Sequence, residues 1–257
     1  MKPSLGLVVK PPTKRGVREA LKIIRTLRPE ALFLNLPKSL EDSVSELSQG
    51  MSYEEFLEEV SENSRLPEPR GAWIAEHEPI LRELPNLGDV KVHCYGDDLI
   101  FRERAETAVR ITLLTFRDAV RDKVSVREWI KILRREASLD EVAVERESEH
   151  VAELGQGYER ILCISGFEAK ELRKRLQNLY ETWIKYLGQP YHFQPLDILR
   201  RIMEREMEVD EETVEQLIRE HIKFIRKYVY YMPLLDAAEK WASEKLYWIL
   251  KPWQRDA

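Results

Sequence analysis

The sequence has only two cysteines, Cys94 and Cys163, among its 257 residues. Two thiols are too few for a disulfide framework or a four-thiolate zinc site. The chain also lacks a run of about 18 apolar residues, which a helix needs to cross a bilayer. Its first residues, 1–12, have too short an apolar stretch and no small-residue cleavage site for a signal peptide. These absences predict a cytoplasmic protein that has no membrane partner.

Amide side chains are scarce as well, with four Asn and seven Gln against 41 basic and 46 acidic residues. An exchange of amides for charged groups is typical of thermophile proteins. Hydrophobic residues nevertheless make up 43% of the chain. That share is large enough to form a core, and it excludes wholesale disorder.

The sequence contains no strong catalytic motif. None of the five histidines has a neighbour at the spacing that metal-binding motifs require; they are His77, His93, His150, His192 and His221. The sequence therefore predicts no metal site and no cofactor, and it leans against enzymatic activity.

Three apolar runs, at 4–9, 31–36 and 160–165, have the length and composition of buried strands. A fourth run, 89–95, alternates apolar with polar residues, which indicates one less buried face. A helical pattern that ends at Arg28-Pro29 joins the first two runs, so they form a βαβ unit with parallel strands. We predict an α/β fold with a small, mostly parallel sheet of about four or more strands, covered by helices, and an all-helical C-terminal extension.

The other segments have helical patterns. Residues 39–87 are polar with a Pro-rich break at 66–71, and residues 101–154 predict three helices with breaks at Ser125 and Ser138. An amphipathic helix is predicted from 168 to about 187, and further helices at roughly 195–207, 211–228 and 233–249. We therefore divide the chain into an α/β domain, 1–187, and a helical region, 188–257.

The last 78 residues hold 13 of the 23 aromatic side chains. Such a density either packs a small helical layer or forms a surface for self-association or partner contact. Packing is the preferred interpretation, and the second remains open.

Four blocks of sequence carry a resemblance to a known family. They are LGLVVKPPTKRGVREALKIIRTLRPEALFLNLPKSL, VKVHCYGDDLIFRERAET, the segment 144–151 and RILCISGFEAKELRKRL. In this order and spacing they resemble the superfamily that contains the TraB, Tiki, ChaN and erythromycin-esterase-like proteins. The resemblance covers roughly residues 4–187. It implies a metal-hydrolase scaffold whose site lies at the carboxyl ends of parallel strands.

The chain departs from the family at the residues that matter most for that chemistry. Where the family has a His after the first strand, a Glu in the second and a His in the last turn, this sequence has Lys10, Asn35 and Ala169. These side chains do not supply the carboxylate, imidazole or thiolate ligands that a divalent metal needs. The resemblance therefore implies a scaffold that has lost its metal chemistry and works as a binding or assembly module.

Four charged residues are the remaining catalytic candidates. Asp97 and Asp98 follow a predicted strand, and Arg146 and Glu147 lie in the segment that is similar to a family helix. Each has an ordinary alternative, because Gly96-Asp97-Asp98 is also a turn and helix-start sequence. For Arg146 and Glu147 the alternative is a solvated helix face with neighbouring charges, or an ion pair of Arg146 with Asp97 or Asp98.

The two cysteines do not point to nucleophilic catalysis. Cys163 lies within an apolar run, as a core residue does, and Cys94 lies beside His93 near a strand end. Adjacent strand residues point to opposite faces of a sheet, so His93 is badly placed to act as the base of Cys94.

A basic stripe along the first helix is a positive signal for a nucleic-acid partner. Its spacing places several cations on one helix face, where they would follow a phosphate backbone. The alternative is a solubilising face that pairs with the acidic segment 41–62. The residues of this stripe and of the loop before it are Lys10, Lys14, Arg15, Arg18, Lys22 and Arg25.

Three functional hypotheses follow. The first is a non-catalytic binding or assembly module that associates with itself or with a protein partner. The second is an RNA or ribonucleoprotein binding protein that uses the basic stripe. The third is a divergent metal-dependent hydrolase, in which Asp97, Asp98, Arg146 and Glu147 would converge in one cleft.

Overall fold

The computed structural model describes residues 2–62, 70–205 and 209–246, with the backbone alone at 70–73, 75 and 205. Within these ranges it has five β-strands and ten α-helices. In chain order they are β1 Ser4–Val9, α1 Lys14–Leu27, β2 Ala31–Pro37, α2 Glu41–Ser48, α3 Tyr53–Glu62, α4 Arg70–Leu81, β3 Lys91–Gly96, α5 Asp98–Arg121, α6 Val126–Leu154, β4 Arg160–Ser165, α7 Ala169–Leu176, β5 Glu181–Tyr186, α8 Pro195–Arg205, α9 Glu211–Phe224 and α10 Leu234–Lys245.

The five strands form one sheet in the order β3-β2-β4-β1-β5, and every strand pair is parallel. The predicted α/β fold is therefore confirmed. The strands β1 and β2 are parallel as predicted, but β4 lies between them. Ser165 at the end of β4 is level with Val9 at the end of β1, so these carboxyl ends share one edge of the sheet.

Helices cover both faces of this sheet, and each face has its own core. Leu34 and Ile164 belong to the core on one face, which also contains apolar residues of α1, α2 and α3. Phe33 and Cys163 belong to the core on the other face, together with residues of α6 and α7. Since side chains alternate along a strand, this second face also receives every other side chain at the strand ends.

The described residues form two compact units, one within 2–105 and 140–188 and one within 106–139 and 189–246. The first unit contains the sheet and helices α1–α4 and α7. The second contains α8, α9 and α10. The long helices α5 and α6 contribute residues to both units.

The prediction of one helix from 168 to about 187 was wrong. The helix α7 ends at Leu176, and residues 181–186 form the edge strand β5, paired with β1. Its sequence, ETWIKY, contains the β-branched and aromatic residues that favour a strand. A Cβ atom at Gly6 of β1 would overlap the indole of Trp183, so glycine at this position allows β5 to pack against β1.

The predicted break at Ser138 was also wrong, because α6 continues through it from Val126 to Leu154. The Ser138 hydroxyl donates a hydrogen bond to the carbonyl oxygen of Arg134, one turn earlier in the helix. This bond satisfies the serine within a continuous helix. The predicted break at Ser125 is confirmed, and the Pro-rich break at 66–71 lies largely outside the described residues.

The C-terminal helices were predicted in the right places. Helices α8, α9 and α10 match the three expected segments, and a π-helical segment, Ile225–Val229, extends α9. Phe224, Tyr228 and Trp241 pack together in one buried cluster, whereas Tyr230 and Tyr231 are exposed. The aromatic residues of this region therefore divide between core and surface. Those at 247, 248 and 253 lie outside the described residues.

A histidine lies in the main core of the second unit. His221 is buried, and its ring stands edge-on to Trp129 with 5.9 Å between ring centroids. Its Nε2 lies 3.3 Å from the hydroxyl of Thr115, and its Nδ1 has no hydrogen-bond partner within the described residues. The pKa of His221 is lowered to about 4, mainly by burial and in part by the positive charge of Arg200. The ring is therefore neutral in the folded protein near neutral pH.

We expect His221 to make the protein less stable in mild acid. Between pH 6.5 and 4 the unfolded chain binds a proton at this residue and the folded chain does not, so stability falls as the pH falls. At pH 5 the loss amounts to about 2 kcal/mol. The free energy of unfolding is measured with urea for the wild type and for His221→Gln at pH 7, 6 and 5. The loss is the additional fall in this free energy that the wild type shows between pH 7 and pH 5. Parallel curves for the two proteins would contradict the prediction.

Among the helices that the structure describes, none combines the length and the apolar composition needed to cross a membrane.

Candidate functional site

Polar side chains of the first unit converge at the carboxyl edge of the sheet, on the face covered by α6 and α7. We call this group the carboxyl-edge cluster. Open α/β sheets place their ligand sites at such edges, where neighbouring connections leave toward opposite faces. Here α1 follows β1 toward one face, and α7 follows β4 toward the other. The cluster consists of Asn35, Asp97, Arg104, Asp140, Arg146, Glu147, Ser165 and Glu168.

Glu147 is the most buried acid of the cluster. It lies on α6, and its side chain is 0% exposed. Neither of its carboxylate oxygens has a hydrogen-bond partner among the described residues. The nearest cation is the Nη1 atom of Arg104, 3.6 Å from Oε1, which is too far for a normal hydrogen bond. Buried polar groups are almost always hydrogen-bonded, so this one requires a functional or structural explanation.

Arg104 comes from α5 and is held by a second acid. Its Nε and Nη2 atoms donate hydrogen bonds to Oδ1 of Asp140 at 3.1 and 2.7 Å. This contact fixes the guanidinium group and leaves Nη1 as the atom near Glu147. Arg104 is therefore an oriented positive charge at the side of the cluster.

Glu168, Asn35 and Ser165 form the sheet side of the cluster. Oε1 of Glu168 accepts a 2.7 Å hydrogen bond from the N–H of Gly166 and lies 3.5 Å from Nδ2 of Asn35. Because Nδ2 of Asn35 faces this carboxylate, the other amide atom, Oδ1, is buried and has no hydrogen-bond partner among the described residues. Ser165 comes two positions after Cys163, so its side chain lies on the same face of the sheet. Its hydroxyl oxygen is also buried and has no hydrogen-bond partner among the described residues.

Asp97 and Arg146 form the remaining pair. Oδ1 of Asp97 accepts hydrogen bonds from the N–H groups of Leu99 and Ile100, both at 3.0 Å, and caps α5. Nη1 of Arg146 lies 3.2 Å from Oδ2 of Asp97. Burial acts to raise the pKa of Asp97, but the hydrogen bonds from Ile100 and Arg146 hold it below its usual value. Asp97 is thus a fixed negative charge beside the cluster.

The electrostatic environment keeps a proton on Glu147. The pKa of Glu147 is raised to about 8, mainly by burial, against the opposing effect of Arg104. The negative charges of Glu168, Asp140 and Asp97 contribute to this rise. A carboxyl group in such a state can donate a hydrogen bond at neutral pH, and it can exchange a proton in the physiological range.

The four catalytic candidates predicted from the sequence do not all lie in one cluster. Arg146 contacts Asp97, as the ion-pair alternative expected, and the charge of Asp97 acts on Glu147. Asp98 instead accepts hydrogen bonds from the backbone N–H and the hydroxyl of Ser39. Sequence reasoning missed Arg104, Asp140, Ser165 and Glu168, and it treated Asn35 only as a lost ligand.

The family's metal-ligand positions hold other contacts here. The ammonium group of Lys10 is buried and lies 2.8 Å from Oε1 of Glu76 on α4. Ala169 is buried at the start of α7. No three His, Cys, Asp or Glu side chains come together as metal ligands in the described part of the chain.

The basic stripe is partly engaged in ion pairs. Arg15 binds Glu19 and Arg25 binds Glu83, at 2.9 and 2.8 Å. These acids lie outside the segment 41–62, which was the predicted partner. Lys10 is buried, whereas the other five cations are exposed. RNA binding by this stripe stays a prediction, and the ion pairs and the burial of Lys10 do not favour it.

Both cysteines are buried as free thiols. Burial raises the pKa of each well above that of an ordinary thiol, which disfavours the nucleophilic thiolate. The ring of His93 contacts that of Phe33, with 5.1 Å between centroids, whereas Cys94 lies in the core of the other face. His93 and Cys94 thus point to opposite faces, as predicted.

Comparisons of the chain with protein-family models, with curated proteins and with solved structures found no match. The resemblance to the TraB and Tiki superfamily therefore stays a prediction.

Proposed function

We propose that the protein binds a small polar molecule at the carboxyl-edge cluster. The observation that carries this proposal is a set of four buried polar atoms without hydrogen-bond partners among the described residues. They come from a strand, a strand end and a helix: Oδ1 of Asn35, Oγ of Ser165, and Oε1 and Oε2 of Glu147.

Unsatisfied buried polar atoms are costly, because each loses its hydrogen bonds to water without replacement. Groups of this kind are retained where a ligand or ordered water completes them. The position supports the proposal as well, since the carboxyl edge of a parallel sheet is the usual ligand site of an open α/β fold. The cluster thus favours the binding of a small molecule over the metal-hydrolase hypothesis, since its polar atoms do not form a set of metal ligands among the described residues.

The same carboxyl group also allows chemistry on the bound molecule. A carboxylic acid whose pKa lies near neutral pH can donate a proton and take it back. General acid-base catalysis by Glu147, oriented beside Arg104, is the catalytic form of this proposal.

A ligand screen on three proteins tests the proposal. Small amines, polyols, carboxylates and sugars are added to the wild type, to Ser165→Ala and to the control Ser138→Ala, and binding is followed by thermal shift and NMR. Ser138 is an exposed serine outside the cluster. We expect at least one class to bind the wild type and the control, with at least tenfold weaker binding to Ser165→Ala. Failure of every class to bind, or equal binding to all three proteins, would overturn the proposal.

Self-association is a second candidate function, and a specific surface favours it. Four large apolar side chains on the part of α5 within the second unit are exposed, including Phe116 at 70%. They lie on one helix face with spacings of four, three and four residues. The four are Val109, Leu113, Phe116 and Val120.

This apolar stripe suits a second copy of the chain. A two-fold interface joins the same patch on both subunits, so the patch must be complementary to itself. The four-three-four spacing reads the same in both directions. Two antiparallel copies would therefore place Leu113 opposite Phe116 and Val109 opposite Val120.

Substitutions on α5 test the association. The mass of the wild type, Phe116→Glu and the control Ala108→Glu is measured by light scattering after size-exclusion chromatography. Ala108 is exposed on a different face of the same helix. We expect the wild type and the control to form dimers and Phe116→Glu to remain monomeric. A monomeric wild type at high micromolar concentration would remove this candidate.

A further inference from the structure

The unsatisfied atoms of the carboxyl-edge cluster share a chemical character. The Oδ1 atom of Asn35 accepts hydrogen bonds and cannot donate them, and the same is true of the carboxylate of Glu147 once it is ionised. The hydroxyl of Ser165 accepts as well as donates. All four atoms can thus be satisfied by one kind of partner, a molecule that presents several hydrogen-bond donors.

The charges of the cluster point in the same direction. Its two cations are held by two of its acids, Arg104 by Asp140 and Arg146 by Asp97. Glu168 accepts hydrogen bonds from two neutral groups, the N–H of Gly166 and the Nδ2 amide of Asn35. Glu147 lies 3.6 Å from an arginine that already binds another carboxylate. Once Glu147 is ionised, the cluster has an excess of negative charge.

We infer that the ligand of the carboxyl-edge cluster is a small organic molecule with a primary ammonium group. This inference rests on the proposed function and names its ligand class. An ammonium group supplies three N–H donors and one positive charge. It would meet Glu147, Asn35 and Ser165 as a donor and would balance the excess of carboxylates. A polyol supplies donors without the charge, and a carboxylate ligand would meet like charges.

Binding of an ammonium ion should require the ionised form of Glu147. The charged groups that act on this carboxyl are Arg104, Glu168, Asp140 and Asp97. An added positive charge favours its ionisation, so binding releases a proton and lowers the midpoint of its titration. By the same linkage, the ammonium ion binds more tightly as the pH rises through that midpoint.

The experiment uses methylammonium chloride as the probe and the full chain labelled with ¹³C at the glutamate carboxyl carbons. The resonance of Glu147 is identified by its absence in Glu147→Gln. An equal concentration of potassium chloride controls for ionic strength, and ethylene glycol and acetate are the neutral and anionic probes. We expect methylammonium, and not potassium, to lower the titration midpoint of Glu147 by at least one pH unit. Its affinity should rise at least tenfold between pH 6 and 8.5.

Three variants separate the contributions. Glu147→Gln should bind methylammonium at least tenfold more weakly at pH 8.5 and should lose the pH dependence. Ser165→Ala should weaken binding but keep the pH dependence, because the titrating group remains. The control Glu149→Gln removes an exposed carboxylate two positions away and should behave as the wild type.

The outcomes distinguish this inference from the proposed function. If ethylene glycol or acetate binds in a manner that requires Ser165, and methylammonium does not bind, the ammonium assignment is wrong and the small-molecule site stands. If no probe shifts the Glu147 resonance and the wider screen also finds no ligand, both are wrong. Methylammonium binding that is unchanged in Glu147→Gln would place the ion elsewhere and would overturn the inference.

Discussion

Replacement of Asp118 by alanine is expected to destabilise the protein by about 3–5 kcal/mol, because two hydrogen-bond donors lose their acceptor at once. Asp118 is 1% exposed and lies near the end of α5. Its Oδ2 accepts hydrogen bonds from the N–H of Ser125 at 2.8 Å and from Nε1 of Trp129 at 2.9 Å. Its Oδ1 accepts one from the Ser125 hydroxyl at 3.0 Å, and Arg117 lies 3.2 Å away.

The magnitude follows from what alanine would leave behind. Two donors would lose their acceptor, the backbone N–H of Ser125 and the N–H of the buried Trp129 indole. Each buried donor that is left unpaired costs about 1–3 kcal/mol of stability. The turn between α5 and α6 would also lose the side chain that connects its two ends. Burial acts to raise the pKa of Asp118, but its hydrogen bonds from Ser125 and Trp129 lower it below the usual value. This contribution is therefore present at neutral pH and is lost only in strong acid.

Urea unfolding at pH 7 measures the effect, with a matched pair of substitutions as control. Asp118→Asn keeps the shape of the side chain but has one acceptor oxygen in place of two, so the variant should lose about 2 kcal/mol of unfolding free energy. Asp122→Asn makes the same change at an aspartate whose side chain is 97% exposed, and it should change stability by less than about 0.5 kcal/mol. A loss below about 1 kcal/mol for Asp118→Ala would show that the turn does not depend on this carboxylate.

The sheet could be predicted in large part because three of its strands are buried on both faces. Parallel strands covered by helices appear as continuous apolar runs, and β1, β2 and β4 are such runs. The C-terminal end of α1 was predictable for a local reason, since Arg28-Pro29 cannot continue a helix, and Arg28 adopts a left-handed conformation with φ of 44°.

The edge strand β5 could not be predicted in this way. Its burial is only partial, and the positions of Trp183, Ile184 and Leu187 also fit a helical repeat. The choice between the two depends on tertiary structure: β1 has one side that β4 does not occupy and that β5 pairs with, and Gly6 leaves room for the indole of Trp183. Neither fact is visible in the local sequence.

The candidate site was predictable only where a residue directly follows a strand. Asp97 follows β3 and was found in this way. Glu168 follows β4 after the turn at Gly166, and the same rule would have identified it. Arg104, Asp140 and Glu147 come from two long helices, and their meeting depends on how α5 and α6 pack. Helix packing is not encoded in the spacing of residues along either helix.

Glu147→Gln is expected to stabilise the protein as the pH rises, and this is the second large effect. The unfolded chain ionises at this residue near its usual pKa of about 4.5, whereas the folded protein keeps the proton until about pH 8. Between these values the folded state binds one more proton than the unfolded state, so the wild type loses stability with increasing pH. The loss amounts to about 1.4 kcal/mol for each pH unit.

The glutamine variant cannot ionise, and its stability should lack this dependence. Relative to the difference between the two proteins at pH 4.5, Glu147→Gln should gain about 3 kcal/mol at pH 7. Urea unfolding at pH 4.5, 6, 7 and 8 measures the gain, and Glu149→Gln is the control, since it removes an exposed carboxylate on the same helix. A constant difference between Glu147→Gln and wild type at all four pH values would mean that Glu147 ionises normally in the folded protein.

A gain in stability at the cost of ligand binding would distinguish a functional residue from a structural one. Structural polar residues stabilise the fold through their partners, and their removal is destabilising, as expected for Asp118. Residues that prepare a binding site are often kept in unfavourable surroundings, and their replacement stabilises the protein. We therefore expect Asp118→Ala to be destabilised at pH 7, whereas Glu147→Gln should gain stability between pH 4.5 and pH 7 relative to the wild type. If both variants were destabilised to a similar extent, Glu147 would be a structural residue and the site proposed around it would lose its main support.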